Sequence, residues 1–216
     1  MDKQLEGEAW RALRIQAELV DGTEKLRRLG PAVTVFGGAR WEAGSSTYLQ
    51  AQELAGRLGR EGIAVITGGG PGVMEAANKG CAATPATSVG LNIQLPHEQQ
   101  PNRYQDLELT FRYFFVRKYL FVKQAVGFVI FPGGFGTLDE LFEALTLVQT
   151  GKVQPFPIVL VGRQFWQGLV AWLEQQLLAN GCIAQADMAL LELVDSPEEA
   201  AQIVLRHINM NNLLSQ

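Results

Sequence analysis

The sequence predicts an α/β fold in one domain, a parallel sheet with helices on both faces. Three observations predict it. Short apolar runs, most of them ending in glycine or proline, alternate with longer stretches of helical periodicity. The apolar runs are continuous rather than alternating, as strands buried on both faces are. At 216 residues the chain suits one sizeable α/β domain and is too short for two ordinary ones.

Residues 1–30 read as a helical extension. Trp10, Leu13, Ala17 and Val20 recur at helical spacing, so one stripe needs a partner surface. Asp21-Gly22 is expected to break this helix, with a short basic helix after it and Gly30-Pro31 as its close. The domain proper spans 31–210. Its first strand, Val33–Phe36, ends in Gly37-Gly38-Ala39-Arg40. A helix over Ser46–Arg60 leads to the strand Ile63–Thr67 and the turn Gly68-Gly69-Gly70-Pro71-Gly72. The next helix begins near Val73 and runs to about Asn78, with Gly80 suited to its C-terminal cap. A strand over Ser88–Gln94, a polar loop over 96–106 and a short strand over Leu107–Thr110 follow. The stretch Phe111–Gln124 reads as a helix apolar nearly all round, buried in the core or in a subunit interface. Val126–Phe131 is a strand that runs into a second glycine turn. Leu138–Gln149 is a helix with Leu138, Leu141, Phe142, Leu145 and Val148 on one stripe. Pro157–Val161 is a strand and Phe165–Ala179 a helix. Ser196-Pro197-Glu198-Glu199 is a capping box with proline at the first helical position; its helix ends near Asn209, and 211–216 forms a fraying tail.

Composition excludes several classes of function. The chain is 47% hydrophobic and 19% charged, as globular chains are. A net charge of −4 argues against nucleic-acid binding. Cys81 and Cys182 stand far apart, which excludes a zinc knuckle and suits a reducing, cytoplasmic setting. No signal-peptide core is expected at the start, and no apolar run approaches the ~20 residues of a membrane span. The dinucleotide fingerprint G-x-G-x-x-G from Gly68 would need glycine where Val73 stands, and no glycine turn continues into Lys-Ser or Lys-Thr as a P-loop would. Neither G-x-S-x-G nor H-E-x-x-H occurs. Only His97 and His207 are present, the second expected at the surface. Neither metal nor cofactor is called for.

The chemistry therefore rests on backbone, carboxylate, arginine, lysine and hydroxyl groups. The turns at 37–38, 68–72 and 133–136 each follow a strand, so they should converge on one rim of the sheet. Strand–glycine turn–helix units direct bare N–H groups, and the positive end of a helix dipole, at an anion. Glu140 has two readings. Thr137-x-x-Glu140 fits a capping box, and the same carboxylate would also sit one turn above a phosphate cradle, with Asp139 and Glu143 near enough to raise its pKa. Arg117 and Lys118 lie in the aromatic helix. An arginine fixed there can fork onto a phosphate or carboxylate, whereas the alternative is that both reach the surface. Arg40 is either a phosphate contact or a solvated loop residue. Glu75 complements a helix dipole, Asn78 lies one turn on, and Glu98 in the polar loop is a lid candidate.

These residues resemble the LONELY GUY (LOG) family of cytokinin riboside 5′-monophosphate phosphoribohydrolases, long mislabelled lysine decarboxylases. Pro132-Gly133-Gly134-Phe135-Gly136-Thr137-Leu138-Asp139-Glu140 matches the family hallmark P-G-G-x-G-T-x-x-E. Arg117-Lys118 matches its upstream pair, 23 residues before the glutamate, and Gly68–Met74 looks like the family's other glycine turn. The similarity covers about 33–161. The resemblance implies a Rossmann-like fold and hydrolysis of the N-glycosidic bond of a purine nucleoside 5′-monophosphate, cytokinin-type or AMP. It implies Arg117 and Glu140 as the catalytic pair, with Gly133, Gly134, Gly136 and Thr137 binding the 5′-phosphate; Gly37, Arg40, Gly69, Gly70, Gly72, Met74, Glu98 and Lys118 complete the expected substrate site. Thr146 would complete the nucleotide site, in one reading across a dimer interface, since the family forms dimers and some hexamers. The loop 95–106 and the stretch 111–115 resemble the second bacterial branch, although Gly38 stands where that branch has serine. The rival reading is a non-catalytic carrier of a nucleotide or of molybdenum cofactor, which would not need Arg117 and Glu140 together. Amino-acid decarboxylation is rejected, because Lys79, Lys123 and Lys152 lie in no setting suited to pyridoxal.

Overall fold

Seven parallel strands form the sheet in the computed structural model, which describes residues 3–95 and 100–214. They are β1 (Ala32–Phe36), β2 (Ala64–Thr67), β3 (Ser88–Ile93), β4 (Leu107–Phe111), β5 (Ala125–Ile130), β6 (Ile158–Val161) and β7 (Leu191–Val194). Their spatial order is β4-β3-β2-β1-β5-β6-β7, and every pairing is parallel. The chain steps outward from β1 to β4, returns beside β1 as β5, and then steps outward the other way. This reversal opens a crevice beyond the carboxyl ends of β1 and β5.

Alternating strand residues feed two separate apolar layers. Val33, Val35, Val65, Val129 and Val159 face α2 (Ser46–Arg60), α3 (Val73–Ala82) and α8 (Pro197–Leu214). Phe36, Ile66, Phe128, Ile130 and Leu160 face the other side, covered by α1 (Lys3–Leu26), α4 (Phe114–Gln124), α5 (Phe135–Gln149) and α6 (Arg163–Trp172). The expected sheet covered on both faces is therefore present. No helix among the described residues is long and apolar enough to cross a membrane.

Several local expectations are corrected. Asp21-Gly22 does not break the first helix. Gly22 lies inside α1 where a Cβ would stand 2.4 Å from Leu120 Cδ1, so its missing side chain lets α1 close onto α4. Gly80 is not a C-terminal cap either. It lies inside α3, where a Cβ would stand 2.0 Å from the Gln52 carbonyl oxygen, and it permits close packing of α2 on α3. Phe111 ends β4 rather than opening the aromatic helix, which starts at Phe114. α5 begins at Phe135, so Thr137 is inside it and no capping box forms there. The Ser196 box does form: Ser196 Oγ accepts from Glu199 N at 3.1 Å, and Glu199 Oε2 accepts from Ser196 N at 3.2 Å. α8 continues past Asn209 to Leu214. α6 turns π-helical over Leu173–Leu178. A short helix α7 (Gln185–Met188) and the edge strand β7 were not expected.

Candidate active site

The three glycine turns meet above the crevice and are tied together by hydrogen bonds. Gly38 N and Trp41 Nε1 both donate to the Pro132 carbonyl, at 3.0 and 2.8 Å. Val73 N donates to the Gly38 carbonyl at 3.1 Å. Gly72 makes this approach possible: its φ is 69°, and a Cβ there would lie 2.4 Å from the Gly38 oxygen. Between the turns lies a cavity of about 890 Å³.

Two of its walls offer anion donors. Gly134, the residue just before α5, gives it no side-chain cap, and the first helical bond is that from Leu138 N to the Gly134 carbonyl. The N–H groups of Phe135, Gly136 and Thr137 thus lack helical acceptors at the positive end of a 15-residue helix. The cavity is also lined by Gly68, Gly69 and Gly70 of the second turn.

Two ionisable side chains face the same space. Arg117 reaches in from α4 with its guanidinium stacked 5.1 Å from the Phe114 ring centre and 5.4 Å from that of Phe121. Its Nη1 donates to the Leu91 carbonyl at 3.5 Å, while its buried Nε has no protein acceptor among the described residues. Burial pulls Arg117 below its ordinary value, opposed by the charges of Glu140 and Asp139. Glu140, in the second turn of α5, is only 5% exposed. Burial lifts its carboxyl to about 7, against the pull of Lys118 and Arg117 and with help from Glu143 and Asp139. A carboxyl poised there can exist in either protonation state at neutral pH.

Of the predicted residues, Gly37, Arg40, Gly69, Gly70 and Met74 line the cavity from one side. Gly133, Gly134, Gly136 and Thr137 line it from the other, together with Arg117 and Glu140. Gly72 serves the turn's approach to Gly38 instead. Lys118 does not reach the cavity. It pairs with Asp139 at 3.0 Å and with Glu143, contacts that outweigh the effect of burial and raise its ammonium pKa. Thr146 lies on the outer surface of α5, its hydroxyl bonded to the Phe142 carbonyl at 2.7 Å. Glu98 lies outside the described residues. Glu75 accepts from Tyr48 OH at 2.9 Å, and Asn78 sits in a buried network, so neither faces the cavity. The sequence reading missed Trp41, Asn92 and Leu95, and the apolar wall of Phe114, Phe135 and Phe165. The one signal for Trp41 was the missing side chain at Gly38: a Cβ there would stand 3.0 Å from the indole.

The sequence profile of the family described as "Possible lysine decarboxylase" matches residues 74–204. A Mycobacterium marinum protein named cytokinin riboside 5′-monophosphate phosphoribohydrolase is 30% identical over 166 residues, 74% of this chain and 88% of the relative. The Escherichia coli (strain K12) pyrimidine/purine nucleotide 5′-monophosphate nucleosidase is 32% identical over 125 residues, 53% of this chain and 28% of that longer protein. Among solved structures, the molybdenum cofactor binding protein from Rippkaea orientalis has a TM-score of 0.61, covering 82% of this chain and 97% of that one. At 24% identity that likeness is one of fold alone.

Proposed function

The chain belongs to the LONELY GUY (LOG) family, whose profile carries the description "Possible lysine decarboxylase", and from this we propose that it hydrolyses the N-glycosidic bond of a nucleoside 5′-monophosphate. The products are the free base and ribose 5-phosphate. The base is a purine, plain as in AMP or substituted as in cytokinins. The observation that carries the reading is the joint arrangement of Arg117, Glu140 and the uncapped start of α5 around one cavity.

The 5′-phosphate lies at the start of α5, where unpaired N–H groups and the helix dipole meet it. Glu140 is about 7 Å further along the helix axis, a span on the order of one ribose. Breaking the C1′–N bond sends its electron pair to the base and leaves positive charge shared by C1′ and the ring oxygen. The ionised Glu140 carboxylate faces that charge and accepts a proton from the water that adds at C1′, while the departing base takes up a proton from solvent. Arg117, fixed by Phe114 and Phe121, holds the ribose phosphate in place. A carrier would gain nothing from a carboxylate buried at a net cost beside such an arginine. Decarboxylation through pyridoxal needs a Schiff-base lysine, and no described residue lining the cavity is a lysine.

The reading includes a homodimer or larger assembly of this chain. Phe135 is 93% exposed, and Phe114, Phe115 and Tyr119 of α4 are about half exposed. The stripe of Trp10, Leu13 and Val20 on α1 also faces away from the core. Such an apolar surface is what a second copy covers. The test of the reaction is incubation with a panel of nucleoside monophosphates, with base and ribose 5-phosphate followed by chromatography. Equal amounts of the two products are expected, and no release from any member of the panel would refute the hydrolase.

A further inference from the structure

The second glycine turn is held in place by a loop that carries no recognisable motif. Asn102 is 9% exposed. Its side-chain Nδ2 lies 3.0 Å from the Gly69 carbonyl, 3.0 Å from the Gly70 carbonyl and 2.9 Å from Asn78 Oδ1. Three acceptors around one atom fix the amide orientation, because an oxygen there would face three oxygens. The other end, Oδ1, accepts from Tyr104 N at 3.1 Å. The Asn102 backbone N–H adds a further bond, to the Gly69 carbonyl at 2.8 Å. Gln105 Nε2 donates to the same carbonyl at 3.0 Å, and Gln105 Oε1 accepts from Asn92 Nδ2 at 2.8 Å. The support reaches down into the sheet through Asn78, whose Oδ1 also accepts from Thr67 Oγ1 at 2.6 Å.

The Gly69 carbonyl therefore takes three donors, all from the loop. Peptide units are planar and this chain has no cis bond among the described residues, so the Gly70 N–H points opposite to that carbonyl. The Gly69 N–H is already used, donating to Thr67 Oγ1 at 2.9 Å, and Pro71 has none. The Gly70 N–H has no acceptor within the described protein, and Gly70 lines the cavity. Glycine is required at 69, where φ is 72° and a Cβ would stand 2.0 Å from Asn92 Oδ1.

We propose that Asn102, assisted by Gln105, is a positioning residue that turns the Gly70 N–H into the cavity as a donor to the phosphate of the substrate. The proposal rests on the nucleotide reading above and deepens it. It makes the segment 102–105 part of the anion site, although the Asn102 side chain does not meet the substrate.

The test compares wild type with Asn102→Asp, which keeps the shape and replaces the donor by an acceptor, and with the milder Asn102→Ala. Calorimetry with AMP and with adenosine separates phosphate recognition from general damage, and a melting curve reports folding. AMP binding should weaken about tenfold or more in both variants, as for loss of a hydrogen bond to a charged group, with adenosine binding unchanged. KM for AMP should rise by the same factor while kcat at saturation stays within about threefold. If Asn102→Asp fails to fold, Asn102→Ala decides. Equal weakening for AMP and adenosine, or no weakening, overturns the proposal. So does a wild type that binds AMP no more tightly than adenosine. A wild type that prefers AMP but releases no base, with the preference lost in Asn102→Ala, would refute the hydrolase and uphold the positioning role.

Discussion

Replacing Glu140 by glutamine should stabilise the protein, increasingly so as the pH rises. Burial lifts the Glu140 carboxyl from 4.5 to about 7, overriding the attraction of Lys118 and Arg117. A carboxyl raised on folding keeps its proton where the unfolded chain has lost it. Its favourable contribution is complete below pH 4.5 and is lost as the pH climbs through 7. Each pH unit of the gap corresponds to about 1.4 kcal/mol, so the ionised group weakens the fold by about 3 kcal/mol at pH 8 relative to its neutral form. Glutamine keeps the shape and stays neutral throughout. Urea unfolding of both proteins at fixed concentration from pH 5 to pH 8 isolates the effect, because the cost of burying the amide is the same at every pH. The advantage of Glu140→Gln should grow across that range by about 2–3 kcal/mol, or roughly 4–12 °C in Tm for a chain of this size. A difference that stays flat with pH, or one that moves in favour of the wild type, would refute the burial argument.

Other consequences can be checked independently. kcat/KM should rise with pH through about 7, as the carboxylate that faces the sugar cation forms; a rate that falls over that range would assign Glu140 the opposite protonation state. AMP should be hydrolysed far faster than adenosine at equal concentration, since the α5 N–H groups bind the phosphate and that binding energy can distort the sugar; equal rates would remove the phosphate cradle from the account. Gly80→Ala should lower stability by several kcal/mol in urea unfolding, because a Cβ 2.0 Å from the Gln52 oxygen outweighs the ~1 kcal/mol of helix propensity gained. Light scattering at micromolar concentration should give at least twice 23.7 kDa, the mass of one chain; a stable monomer would leave the exposed aromatics of α1 and α4 without their assigned partner.

The sheet was legible in the sequence because strands buried on both faces have to be continuous apolar runs. The convergence of the glycine turns was legible because each follows such a run. β7 escaped notice because Leu191–Val194 is four residues long and interrupted by Glu192, as an edge strand can be. Gly22 and Gly80 read locally as breakers, but tertiary packing decides their role, and each marks a place where two helices touch. The start of α5 was misplaced because Gly136, which propensity puts outside a helix, lies in its first turn. With that start at Phe135 the capping reading of Glu140 disappears, which leaves the side chain free to face the cavity. Thr146 follows Glu140 by six positions, about 240° around the helix, so one chain cannot present both to one cavity. Asn102 had no local signature at all. Its role exists only where a loop 32 residues away in sequence meets the carbonyl of Gly70.

The central claim is that Glu140 faces the breaking glycosidic bond while the phosphate is held by backbone N–H groups and Arg117. It is tested most directly by measuring AMP affinity and adenine release on the same preparations of wild type and Glu140→Gln. The account predicts adenine and ribose 5-phosphate in equal amounts from the wild type. For the variant it predicts melting at or above the wild-type temperature, AMP affinity close to wild type or better, and release slower by roughly 10²-fold or more. A variant that binds AMP normally and releases adenine at the wild-type rate would contradict it.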